Sequence, residues 1–253
     1  MSATAPVVFL VDVDNTLIDN DAVLEDLRHH VQDELGLVCW ERYRAILVAV
    51  WEELGYRDYL GALQRYRDEH PHDARLPRLS LLMKGYPFGS RLYPGALDVV
   101  ARLRSWAPTV ILTDGDVVFQ PIKVQQSGLW RAVDGHVLIY IHKERELDDV
   151  EAHYPADHYV LIDDKLTILT PVKRAWGSRV TTIFPLQGQY AHDPKLVASH
   201  PSPDLTIERI DDLLSYDLPT LLAAARPGDV LTDVDAQSAD EAPRPAATPP
   251  SHR

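Results

Sequence analysis

Cysteine is almost missing from this sequence: Cys39 is the only one in 253 residues. No internal disulfide and no thiolate-rich metal cluster can therefore form, a composition that suits a reducing compartment, with Cys39 read as an apolar filler. Long apolar runs are lacking too, and no segment reaches the roughly 20 apolar residues that a membrane span requires. The early run Val7 to Val11 is short, has no basic flank and leads straight into acidic residues, unlike a leader peptide. The expectation is a cytoplasmic protein. Positive charge is scarce, with 25 Lys and Arg against 38 Asp and Glu and a net charge of -13. Nucleic acid and anionic membrane surfaces would be repelled, so neither is an expected partner. Glycine-rich phosphate loops are absent, which argues against a nucleotide cofactor. The 11 histidines are scattered, and pairs such as His70 with His72 or His153 with His158 lack zinc-site spacing.

What is present alternates. Val7-Val8-Phe9-Leu10-Val11 is a continuous apolar run, the signature of a strand buried on both faces. Runs at Thr109 to Leu112, His136 to Tyr140, Tyr159 to Ile162 and Val180 to Phe184 repeat it, with helix-like stretches between most of them. The expected class is α/β. Residues 18 to 92 instead show helical spacing: Leu24, Leu27, Val31 and Leu35 share one face, and Trp40, Tyr43, Leu47, Trp51 and Leu54 another. A small helical bundle inserted after the first strand fits, and its aromatic stripe is read as packing. Exposed aromatics there offer a homodimer contact. Pro94 and Gly95 open a helix to about Ser105, residues 206 to 225 read as one or two helices, and 227 to 253 read as a disordered tail rich in Pro, Ala and Asp. The expected division is a core of 1 to 17 with 93 to 226, an insertion of 18 to 92, and that tail.

Chemistry gathers at the strand ends. Asp12 and Asp14, in Asp-Val-Asp-Asn-Thr, leave the first strand where an open parallel sheet places its ligand crevice. Two carboxylates spaced in this way can divide the work, one attacking and one moving protons. Thr113 opens Thr-Asp-Gly-Asp, where its hydroxyl and the amides of Asp114 and Gly115 are candidate donors to phosphate oxygens. Lys143 follows another strand and could neutralise a transferring phosphoryl group. Asp163 and Asp164 end a further strand, and adjacent like charges there call for a hard, oxygen-liganded cation such as magnesium.

In this order, the four segments Asp-Val-Asp-Asn-Thr, Ile-Leu-Thr-Asp-Gly, Lys143 and Leu-Ile-Asp-Asp resemble the haloacid dehalogenase superfamily over about residues 7 to 185. The resemblance implies a Rossmann-like, three-layer parallel sheet with an all-helical cap at 18 to 92. It implies Asp12 as nucleophile, forming an aspartyl-phosphate, and Asp14 as general acid and base. Thr113 would hold phosphoryl oxygens and Lys143 would pair with nucleophile and phosphate. Magnesium would be held by the Asp12 carboxylate, the Asp14 backbone carbonyl and Asp164 directly, with Asp163 assisting. Asn15 stands where many relatives have glycine, and Glu144 follows Lys143 where proline is frequent, so Lys123, in a predicted helix, is the alternative site lysine and Lys165 is also in reach. The implied activity is magnesium-dependent hydrolysis of a small phosphorylated metabolite. Phosphotransfer (a mutase), dehalogenation and a non-catalytic binding role are the alternatives. Asp14 would lack a purpose in a dehalogenase, and Lys84 is the insertion's only lysine for the Schiff-base chemistry of phosphonate cleavage. Selectivity would come from the insertion, whose loops, such as Gly85 to Arg91, periodicity does not position.

Overall fold

A computed structural model of the chain describes residues 4–227. The expected tail lies almost wholly outside them. Strand β1 (Ala5–Val11) runs down the middle of the molecule and is followed by four helices, α1 (Asn20–Leu35), α2 (Leu37–Leu54), α3 (Tyr59–Glu69) and α4 (Leu76–Lys84). The chain then alternates through α5 (Ala96–Trp106), β2 (Thr109–Asp114), α6 (Phe119–Gln126), α7 (Leu129–Ala132), β3 (Val137–Tyr140), α8 (Leu147–His153), β4 (Ala156–Ile162), α9 (Leu166–Trp176) and β5 (Val180–Pro185). Two short helices, α10 (Gly188–Ala191) and α11 (Pro194–Ala198), precede β6 (Leu205–Ile207) and α12 (Leu218–Ala223).

The six strands form one wholly parallel sheet in the order β3-β2-β1-β4-β5-β6. Side chains of β1 explain why it lies inside: Val7, Phe9 and Val11 feed the apolar core on one face, while Val8 and Leu10 feed the core on the other. A strand with both faces apolar gains from burial only when helices cover both sides, which gives the three-layer α/β architecture. Strand order reverses between β1 and β4, and the crevice beyond their carboxyl ends is where such sheets hold ligands. Val11 pairs in register with Ile162, so Asp12 and Asp163 emerge side by side there.

The helices α1 to α4 leave and rejoin the core through adjacent backbone. Ile18 bridges Leu92, Asp19 N donates to Arg91 O at 2.8 Å, and Tyr93 N donates to Leu17 O at 2.9 Å. Asp19 also caps α1, accepting from Ala22 N at 2.9 Å.

Two expectations change. Residues 205–207 form a sixth strand where a helix was expected, with a 3-10 turn (Ile210–Ser215) and α12 after it. Leu-Thr-Ile is too short to show a period, and pairing with β5 decides its conformation. In α2 the buried residues are Tyr43, Ile46 and Val50 rather than the full aromatic stripe. Trp51 is half exposed because it faces a cavity between helices and sheet instead of the bundle interior.

Candidate active site

Asp12 leaves β1 with its amide donating to Ile162 O at 3.0 Å, and its side chain is withdrawn from solvent. Lys143 Nζ lies 2.5 Å from Asp12 Oδ1, 2.6 Å from Asp163 Oδ2 and 3.1 Å from the Leu112 carbonyl oxygen. Lys143 is placed by a 3-10 turn (Lys143–Arg145) after β3, and its amide donates to Asp114 Oδ1 at 2.8 Å. Burial alone would strip this lysine of its proton, but the carboxylates of Asp12, Asp163 and Asp114 outweigh burial and hold its pKa well above the usual lysine range. The lysine after β3 thus sits on Asp12 and Asp163.

The carboxylates of Asp12, Asp163 and Asp164 each bring one oxygen within 4.8 Å of the others. Asp163 Oδ1 accepts the Lys165 amide at 2.9 Å, whereas neither oxygen of Asp164 has a hydrogen-bond partner. Burial holds both carboxyls above the ordinary range, most strongly that of Asp164. Lys165 is also held protonated against burial, by Asp164, Asp12 and Asp163. Three carboxyl groups therefore face two ammonium groups in a buried space, where burial resists ionising all three unless further positive charge is supplied. An unpartnered buried carboxylate amid oxygen ligands fits a hard divalent cation, with Asp164 the most available ligand and Asp163 already engaged through both oxygens, by Lys143 and the Lys165 amide.

Asp14 is not part of that carboxylate cluster. Its side chain turns to the cavity, where Lys123 Nζ meets Oδ1 at 2.6 Å and Oδ2 at 2.9 Å and donates to Asn20 Oδ1 at 2.9 Å. Its backbone carbonyl remains the candidate group toward a cation. The two lysines weighed in the sequence thus each hold one of the aspartates leaving β1, Lys143 on Asp12 and Lys123 on Asp14. Thr113 is buried, and its hydroxyl accepts from Gln120 Nε2 at 2.9 Å. The Gly115 amide donates to Tyr140 O at 2.9 Å, so it serves the backbone rather than standing open to a phosphate. Asp114 accepts from the Lys143 amide and lines the cavity with Gly115.

Three contributors escaped the sequence reading of the site, Thr16, Gln120 and Asn20. Thr16 Oγ1 donates to Asp12 Oδ2 at 3.3 Å and accepts the Asp164 amide at 3.1 Å, linking the first and last motifs. Gln120 lies three residues before Lys123 in α6, a spacing that puts both on one helix face and could have revealed it beside the lysine already named. Asn20 opens α1 and had no signal of its own. Asn15 has φ of 60°, a left-handed conformation that asparagine tolerates, and its side-chain oxygen accepts the amides of Asn20 and Asp21 at 3.0 and 3.2 Å.

Above these groups lies a cavity of about 300 Å³. Its floor includes Asp14, Asp114, Gly115, Lys123 and Lys165, and its roof is formed by Trp51, Gly55, Tyr56, Arg57 and Tyr59 from the end of α2 through the start of α3. The roof is therefore the segment 51–59, not 85–91. Gly55 has φ of 80°, and a Cβ there would meet His142 Nε2 at 2.9 Å, so glycine lets the roof approach the core turn closely. Among the described residues no helix is long and apolar enough to cross a membrane.

No protein-family model matches the sequence, and no curated protein does. Among solved structures, a haloacid dehalogenase-like hydrolase from Burkholderia xenovorans LB400 is 58% identical, over 84% of this chain and 99% of that one, with a TM-score of 0.80. A HAD-hydrolase from Bacillus subtilis bound to magnesium is 16% identical over 84% of this chain and 98% of its own, with a TM-score of 0.55. An L-2-haloacid dehalogenase from Xanthobacter autotrophicus with chloropropionic acid covalently bound is 15% identical over 83% and 97%, with a TM-score of 0.54. The last two share the fold.

Proposed function

The chain belongs to the haloacid dehalogenase-like hydrolases, and from that premise we propose that it is a magnesium-dependent phosphatase of small phosphoric monoesters. The observation that carries the reading is the buried carboxylate of Asp164, which has no hydrogen-bond partner and stands beside Asp12 and Asp163. A nucleophilic carboxylate attacking neutral carbon has no need of an added cation, whereas one approaching a phosphate dianion does.

In this reading a carboxylate oxygen of Asp12 attacks phosphorus in line, the new O–P bond forms and the ester P–O bond breaks. Asp14, on the cavity wall, gives a proton to the departing oxygen and then takes one from the water that attacks phosphorus and releases phosphate. Lys143 keeps Asp12 oriented and offsets anion-anion repulsion, Thr16 fixes the other Asp12 oxygen, and Lys123 with Asn20 aims Asp14. Thr113, steadied by Gln120, offers its hydroxyl to a phosphoryl oxygen. A magnesium ion held by Asp12, Asp164 and the Asp14 carbonyl, with Asp163 in support, would supply the positive charge that lets the two anions meet. The helices of 18 to 92 act as the cap that closes over the ester.

Phosphate release from a panel of phosphate esters, with and without magnesium, tests the reading. Wild-type protein should turn over only with magnesium, and Asp12→Asn should lose at least about 10³-fold in rate. Magnesium-independent chloride release from 2-chloropropionate, with no phosphate released from any ester, would instead assign the dehalogenase reaction.

A further inference from the structure

The cavity contains a cation that the proposed chemistry does not use. Of its other cationic side chains, Lys123 is paired with Asp14 and Lys165 is balanced by Asp164, Asp12 and Asp163. Arg57, half-buried in the roof, has no carboxylate within ion-pair distance among the described residues. Burial is the largest influence on its guanidinium and works against its charge, while Tyr59, Tyr190 and, more weakly, the Asp14 carboxylate favour that charge. The acids of the floor have partners of their own. Asp114 accepts from the Lys143 amide, Asp116 accepts from Val118 N and Phe119 N at 2.8 and 2.6 Å, and Glu144 lies 3.5 Å from Arg145 Nε.

A guanidinium drawn out of water without an anion forgoes hydration, and its rigid fork suits two oxygens of one acidic group. The cavity limits what can carry that group. At about 300 Å³ it lies at the small end of ligand sites, which run from about 300 to 1,000 Å³. A substrate filling it is a phosphate ester with a short body, its phosphoryl end at the floor and its far end at the roof. The roof around Arg57 is aromatic and polar, with Trp51, Tyr56, Tyr59 and Tyr190 bordering the same space.

We propose that Arg57 is a specificity-determining residue that binds a second anionic oxygen group, carboxylate or phosphate, at the end of the substrate remote from the transferred phosphoryl group. This rests on the phosphatase reading for the identity of the first group, but the recognition of the second is separable from turnover. Arg57 does not touch the reacting atoms, so it acts on binding of one class of ester and leaves the chemical step intact.

The test uses a homologous series of alkyl phosphates, two to five carbons long, ending in methyl, carboxylate or phosphate, assayed with the full chain and its Arg57→Gln and Arg57→Lys variants. For acid-ended esters Arg57→Gln should raise KM by about tenfold or more, as loss of one charge-assisted contact does, with kcat little changed. Methyl-ended esters should keep their kcat/KM within about twofold by the same reckoning, and Arg57→Lys should recover part of the loss. The terminus that suffers more identifies the group bound. Equal effects on all termini, or none, overturn the proposal. A parallel arm measures calorimetric binding of the corresponding phosphonates, which cannot be hydrolysed. If wild type releases phosphate from no ester, the functional reading fails by itself. The binding arm then decides, with loss of acid-ended phosphonate binding in Arg57→Gln supporting the subsite and unchanged binding refuting it.

Discussion

Asp164 brings two carboxylate oxygens into the interior with no donor to meet them, beside two further carboxylates. Leaving such a group unsatisfied costs about 1–3 kcal/mol or more. Asp164→Asn replaces an acceptor by an amide that can donate to Asp12 or Asp163, so the metal-free variant should melt higher than metal-free wild type, at roughly 2–4 °C per kcal/mol for a chain of this size. Magnesium at about 100 times its dissociation constant should stabilise wild type by about 2.7 kcal/mol and the variant far less. Melting curves with and without magnesium check this, and an equal shift in both proteins would remove Asp164 from the cation site. The sequence displayed this residue, Asp12, Asp163 and Lys143 because each follows an apolar strand, where position along the chain translates directly into position at one sheet edge. Arg57, Gln120 and Asn20 stayed hidden because they belong to helices and loops, whose placement over that edge is set by tertiary packing.

Among the elements, β6 shows how a three-residue strand is held. Asp204, just before it, accepts from Thr182 N at 2.8 Å, Thr182 Oγ1 at 3.0 Å and Lys173 Nζ at 2.7 Å, and its other oxygen accepts from Arg226 N at 2.9 Å. One buried carboxylate ties β5, α9 and the chain beyond α12 to the edge of the sheet. Asp204→Ala leaves the Thr182 amide and Lys173 without their acceptor and should cost about 3 kcal/mol, the range for breaking a buried pair. Denaturant unfolding measures the loss, and a change below about 1 kcal/mol, the worth of an exposed pair, would show the clamp to be ornamental. None of this was visible beforehand, since Pro-Asp-Leu-Thr-Ile has neither length nor period. The five longer strands were legible because continuous β-branched runs leave few other conformations. The helical insertion was legible as helix, but its contact face was misjudged: Ile46 and Val50 are buried while Trp51 turns to the cavity.

Among the described residues, the sheet and the inserted helices share one apolar core. One buried cluster runs from Val7, Phe9 and Val11 through Phe88 and Phe119 to Leu27, Val31, Tyr43 and Met83. Helices that share a core with the sheet should unfold with it, in one calorimetric transition whose van't Hoff and calorimetric enthalpies agree. Two resolved transitions, one lost when the insertion is destabilised, would show the parts to be independent.

The adjacent entry and exit of the insertion, with Ile18 bridging Leu92, bears on how the sheet assembles. Before β1 can meet β2, a long stretch of chain must be looped out. Helices that form early and knit their own two ends together take most of that stretch out of the search, and shortening a loop fourfold saves roughly 1 kcal/mol of closure entropy. Local contacts within the helices also form faster than distant strand pairing. Loosening the junction of Ile18 with Leu92 should therefore slow refolding more than it speeds unfolding, an outcome that stopped-flow kinetics of an Ile18→Ala variant would measure.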